Sequence, residues 1–175
     1  MNSMKTLNIL CIFSRKRLKI GDKYQGGIIA YFLKKGDEGF VDTVLHGLIA
    51  APSDQSSGIS WNKREFKELK NTQVRIGSGL SNTIAITKSL GSGSYAASIC
   101  LDLTIDGYHD WFLPSLEELN KLYLSRNKIG GFSPKHYWSS SHCGHNTAQN
   151  LLFTDGTNGN NYRIQELCVR AVRAF

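Results

Sequence analysis

Three prolines and four cysteines are all that 175 residues contain, and no apolar run approaches the roughly 20 residues a membrane-spanning helix requires. The cysteines (Cys11, Cys100, Cys143 and Cys168) show no CxxC spacing and no clustering with histidine, which argues against zinc. A Gly-x-Ser-x-Gly elbow, a His-Glu-x-x-His pair and a carboxylate pair on one recognisable face are also missing, so hydrolase and metalloprotease chemistry have no anchor. Gly77-Ser-Gly79 precedes a helical pattern, but the further glycine and the Lys-Ser/Thr pair of phosphate loops are absent at the required spacing. The sequence therefore predicts neither catalysis nor a bound cofactor.

Acidic residues are few as well, 14 against 21 lysines and arginines, giving a net charge of +7. The distribution of that charge weakens a nucleic-acid reading. Residues 1–23 hold Lys5, Arg15, Lys16, Arg17, Lys19 and Lys23 against Asp22 alone, and the remainder is almost balanced. The segment before residue 21 has a short apolar run, Leu7 to Phe13, followed by the basic cluster, which reverses the order of a secretory signal. Leu7-Asn-Ile-Leu-Cys11 is a degenerate match to a lipoprotein cleavage box, so an export signal and a poorly ordered extension over 1–20 both stay open, ahead of one domain over 21–175.

What is present is a dense span from Gly107 to Tyr123. Ser115 followed by Glu118 predicts a capping box, with Leu116, Leu119, Leu122 and Tyr123 on one face and Gly130-Gly131 as the stop. Tyr108, Trp111, Phe112 and Leu113 are too aromatic for a solvated loop and predict a core-filling strand or turn. Upstream, Gly26–Leu33 and His46–Ala51 read as a β-hairpin, with His46 in a structural hydrogen bond at the strand edge. Pro52–Gly58 reads as a polar loop held by Asx and Ser turns, its single carboxylate too few for calcium. Helices are expected over about Ser81–Leu90, with Leu80, Ile84 and Ala85 on the apolar face, and over Tyr95–Leu103. Strands are expected at Tyr137–Ser139, Leu151–Phe153 and Cys168–Phe175, with Arg170 and Arg173 tying down carbonyls or carboxylates. Cys100 and Cys168 read as buried thiols, a disulfide between them needing an oxidising compartment.

Gly107-Tyr-x-Asp-Trp-x-Leu-Pro-Ser-x-x-Glu-Leu, Ile129-Gly-Gly-Phe132, Tyr137-Trp-Ser-Ser-Ser141 and the closing Val169–Phe175 carry a resemblance, as do Gly21–Gly27 and His46–Trp61 further upstream. Together they resemble the Lcl C-terminal domain family, found at the C-terminus of bacterial collagen-like adhesins and in lipoproteins of unknown function. The resemblance implies an α+β, C-type-lectin-like fold related to formylglycine-generating enzymes, used for binding at the cell surface or outside it. Cys143 and Cys168 fall in roughly the region of those enzymes' reactive cysteine, but the surrounding pattern is absent, so the kinship does not transfer the activity.

Within that framework two polar segments depart from the family's commoner residues; Gln149 stands where Trp is frequent. The first offers His142, Cys143, His145, Asn146, Thr147 and Gln149, and the second Thr154, Asp155, Thr157, Asn158, Asn160, Asn161, Tyr162 and Arg163. Tyr supplies contact area at low entropy cost, and Asn, Thr and Gly adapt their hydrogen bonds, so both segments are expected to be loops on a common surface that takes a protein or glycan ligand. His142 and His145 as a metal pair lack a third ligand. Some proteins of this fold are targets of diversity-generating retroelements, which rewrite adenines; Asn codons so rewritten never yield Lys, Met, Trp or Glu, and none of these occurs from His142 to Ile164. Ordinary Asn- and Gly-rich turns would look the same. The alternative is a sulfated-polysaccharide adhesin using Lys63, Arg64, Lys67 and Lys70.

Overall fold

The structure, a computed structural model, describes residues 17–63, 72–144 and 146–175. Its elements are β1 (Lys23–Tyr24), β2 (Gly27–Phe32), β3 (Gly47–Ala50), β4 (Ser56–Ser60), α1 (Gly79–Leu90), α2 (Ala96–Leu101), α3 (Leu116–Ile129), β5 (His136–Cys143), β6 (Thr147–Leu152), β7 (Asn158–Tyr162), β8 (Glu166–Val169) and β9 (Val172–Ala174). The class is α+β. One sheet runs β1-β2-β3-β9 and the other β4-β8-β5-β6-β7. All pairs are antiparallel except β5 with β8, which meet at Tyr137 and Cys168.

The organising helix forms as the sequence predicts. Ser115 caps α3, its hydroxyl accepting from Glu118 N–H while the Glu118 carboxylate accepts from Ser115 N–H at 2.8 Å, and Gly130, at φ +77°, ends it. Leu119, Leu122 and Ile129 face inward, with Leu116 and Tyr123 half-buried beside them. Glu118 does more than cap: it is fully buried and also accepts from Gly77 N–H at 2.9 Å, pinning the loop before α1 to α3. Trp111, Phe112 and Leu113 lie in the core, where Phe112 bridges to Val172 and links α3's approach to the first sheet.

Four expectations need correction. The inward face of α1 is Asn82, Thr83, Ile86 and Leu90, while Leu80 and Ile84 are 40% and 49% exposed. Polar burial wins there because Thr83 Oγ1 donates to Gly79 O at 2.8 Å and accepts from Leu113 N–H at 3.0 Å, and Asn82 exchanges bonds with Gln73. The expected last strand is two strands in different sheets, broken at Arg170-Ala171. Pro52–Gly58 is not wholly loop, since its last residues open β4. Most of the two segments expected to be loops is strand: β5 extends to Cys143, β6 starts at Thr147, and Asn158–Tyr162 is β7. Asparagine and glycine are poor strand formers, and it is pairing with β6 that holds β7 extended.

Cys100 and Cys168 are buried free thiols in separate core clusters. His46 has the expected strand-edge bond, its Nδ1 3.2 Å from Phe175 O. Arg170 and Arg173 both tie loops down, Arg173 through two bonds to Asp110.

Candidate functional site

Register decides what the second sheet presents. Cys143 is opposite Thr147, Thr147 opposite Tyr162, and Gln149 opposite Asn160, so period-2 alternation sets these five side chains on one face. On that face Cys143 Sγ stands 3.4 Å from Thr147 Oγ1 and 3.2 Å from Asn160 Oδ1. Gln149 Oε1, among the described residues, is a buried oxygen without a hydrogen-bond partner. His142 points the other way: its Nδ1 meets Thr72 Oγ1, and its N–H donates to the same hydroxyl at 2.9 Å. Asn161 also belongs to the opposite face, in a chain of amides from His136 through Asn150 to Gln165.

The turn between β5 and β6 is held from inside. Arg163 is 2% exposed, its Nη2 donates to Gly144 O at 3.1 Å, and its guanidinium lies 4.9 Å from the centre of the Trp61 ring. Arg163 N–H donates to Asn146 O at 2.9 Å, while Trp61 N–H donates to Arg163 O at 2.8 Å. Burial lowers the Arg163 pKa from the ordinary arginine value. Expected as a contact residue, Arg163 is instead the floor of the turn. Above it a cleft of about 210 Å³ is lined by Asn62, Asn146, Tyr162, Arg163 and Ile164, with Tyr162 63% and Ile164 49% exposed.

The two expected segments share a surface only in part: Cys143, Thr147 and Gln149 of the first meet Asn160 and Tyr162 of the second on one face, and the turn after β6 stands apart from it. Gly144 and Asn146 precede β6, while Thr154, Asp155 and Thr157 follow it, so the two turns sit at opposite ends of a six-residue strand, about 20 Å apart. The distal turn is built locally: Thr157 N–H donates to Asp155 Oδ1 at 2.8 Å, and that bond holds the Asp155 carboxyl below its usual range. Thr154, Asp155, Thr157, Asn158 and Asn160 are exposed. Asn146, Asn160 and Tyr162 gather at the proximal end, joined by Ile164, which sequence reasoning missed because it lies one residue past the polar segment and is apolar. His145, Arg64, Lys67, Lys70 and the apolar run before residue 17 lie outside the described residues, and Lys63 sits 6.0 Å from the centre of the Tyr95 ring.

The family profile of the Lcl C-terminal domain matches residues 51–173, which takes in both turns and every strand from β4 to β8. The chain belongs to that family. No curated protein matches it. The matched span places the Lcl C-terminal domain's boundary inside the fold, since β1, β2 and β3 precede residue 51 yet β3 pairs with β9. Among the described residues no three His, Cys, Asp or Glu side chains group as metal ligands, and no helix is long and apolar enough to cross a membrane. Burial raises the thiol pKa of Cys100 and of Cys168, the reverse of what an attacking thiolate needs.

Proposed function

We propose that the domain is a non-catalytic ligand-binding module of C-type-lectin-like fold, and that it receives a protein or glycan at the proximal turn, where Asn146, Tyr162 and Ile164 surround the cleft above Arg163. One observation carries this reading: large apolar side chains are exposed around a concavity whose floor is a buried arginine hydrogen-bonded to the turn. An exposed ring flanked by amides is the composition of adaptable paratopes, and a fixed scaffold lowers the ordering cost of binding. The surface or adhesin character of the family agrees with such a role.

The test is a protein and glycan array probed with the whole chain and with two variants. Tyr162→Ala with Asn146→Ala should abolish the hits, and Thr154→Ala with Asp155→Ala at the far turn should keep them. Loss in the second variant with retention in the first would reject the proximal site. Retroelement diversification is part of the same reading, supported by the outward placement of Asn146, Asn160 and Tyr162. It requires, in the neighbouring DNA, a near-copy of the closing coding segment that differs at adenines beside a reverse transcriptase gene.

A further inference from the structure

The second sheet ends in β7, and its outer edge is built unlike the edge on the other side. β4, the opposite edge strand, carries a register shift between Ser56 and Ile59, whereas β7 pairs with β6 without interruption from Asn158 to Tyr162. Edge strands are ordinarily guarded by lysine, proline or a bulge. Asn158-Gly-Asn-Asn-Tyr162 has none of these.

Which backbone groups point outward follows from two bonds. Arg163 N–H donates to Asn146 O and Leu152 N–H to Thr157 O, both at 2.9 Å, so residues 157, 159, 161 and 163 face β6 and residues 158, 160 and 162 face away. At Tyr162 the outward groups are already used: its N–H donates to Gln165 Oε1 at 3.0 Å and its carbonyl accepts from Gln165 N–H at 2.9 Å. At Asn158 and Asn160 no described residue meets the outward N–H and C=O.

We propose that two copies of this chain pair antiparallel through β7, about a two-fold axis at Gly159. Asn158 of each copy then lies opposite Asn160 of the other, and each such pair exchanges both of its backbone hydrogen bonds. Gly159 meets its own counterpart at the closely spaced position on the axis, where the absence of a side chain leaves room. A two-fold sets each strand against itself, so any charge near the axis would face its own copy. The stretch from Asn158 to Tyr162 carries none, and that self-compatibility points to a second copy rather than a charged partner. Gln165 limits the seam to its two open residues. The paired sheets bring the two faces bearing Cys143, Gln149 and Asn160 side by side, and the inference stands without any ligand.

Sedimentation velocity on the full chain tests it. The expected result is twice the chain mass at high concentration, falling to the single-chain mass on dilution. Asn160→Pro removes an outward N–H together with the amide beside Cys143 Sγ, at a position where an edge strand accepts proline, and should give the single-chain mass with an unchanged circular dichroism spectrum. Asn158→Asp with Asn160→Asp sets carboxylates opposite each other across the seam and should dissociate the pair at low salt and restore it at high salt. These two side chains are exposed, so this variant carries the test should the proline variant misfold. A single-chain mass for the unaltered protein at its highest soluble concentration, or a pair indifferent to both variants, overturns the proposal.

Discussion

Arg170 Nε donates to Asp54 Oδ1 at 2.7 Å, and the other carboxylate oxygen accepts from the Tyr137 hydroxyl at the same distance. Arg170 further donates to the carbonyls of Ala51 and Gly131, with the Phe132 ring 4.1 Å from its guanidinium carbon, so one buried side chain ties the loop before β4 to the end of α3. Arg170→Met should cost about 3–5 kcal/mol, because it strands a mostly buried carboxylate. Urea unfolding would show it, and Arg170→Met combined with Asp54→Asn should cost less than the single change.

Burial raises the Glu118 carboxyl above the usual glutamate range, although hydrogen bonds from Ser115 and Gly77 pull the other way. Between the unfolded value near pH 4.3 and the raised folded one the native state holds more protons, so this group's stabilisation is present at lower pH and is lost as pH rises through the folded value. Glu118→Gln should flatten that part of the profile while lowering stability throughout, since an amide nitrogen there cannot accept from a backbone N–H. Urea midpoints across a pH series are the measurement, and an unchanged slope in the variant would refute the assignment.

Gly156 closes the distal turn at φ +82°, and a Cβ there would stand 2.5 Å from Tyr123 Cε1. Gly156→Ala should cost about 1–3 kcal/mol through strain and overlap together. Gly36→Ala, at φ +103° with nothing within 4 Å, should cost only the conformational share, about 1 kcal/mol. Thermal melts of the two variants should therefore separate in that order.

Cys143 is half-buried on the candidate face, while Cys100 and Cys168 are buried. In a Cys11→Ser background, a maleimide should label the native protein at Cys143 first, and a ligand found on the arrays should slow the labelling. Peptide mass mapping identifies the modified thiol. First labelling at Cys100 or Cys168 would mean that the core opens more readily than its packing implies.

The scaffold was largely legible because its signals are local. Ser115 with Glu118, the Trp111–Leu113 cluster and the Gly130 stop each announce their conformation within a few residues. The β2–β3 hairpin follows from apolar β-branched runs in the same way. The strand character of Asn158–Tyr162 was hidden because it comes from β6, not from its own side chains. The burial of Arg163 and Glu118 was equally hidden, since charged residues read as surface until Trp61 and the Gly77 loop are placed against them. For the site, the sequence picked out Asn146, Asn160 and Tyr162 but also the far turn, because spacing along a strand does not say which turn lies at which end.

The Arg163 anchor also bears on how this protein can change over generations. The turn's carbonyls are held from beneath, and Tyr162, Asn146 and Asn160 stand exposed above that frame, Asn160 tied to it only by the Cys143 thiol. Replacement at those three places should leave the melting point nearly untouched, so that mutational search there would proceed on affinity alone, without a second selection for folding.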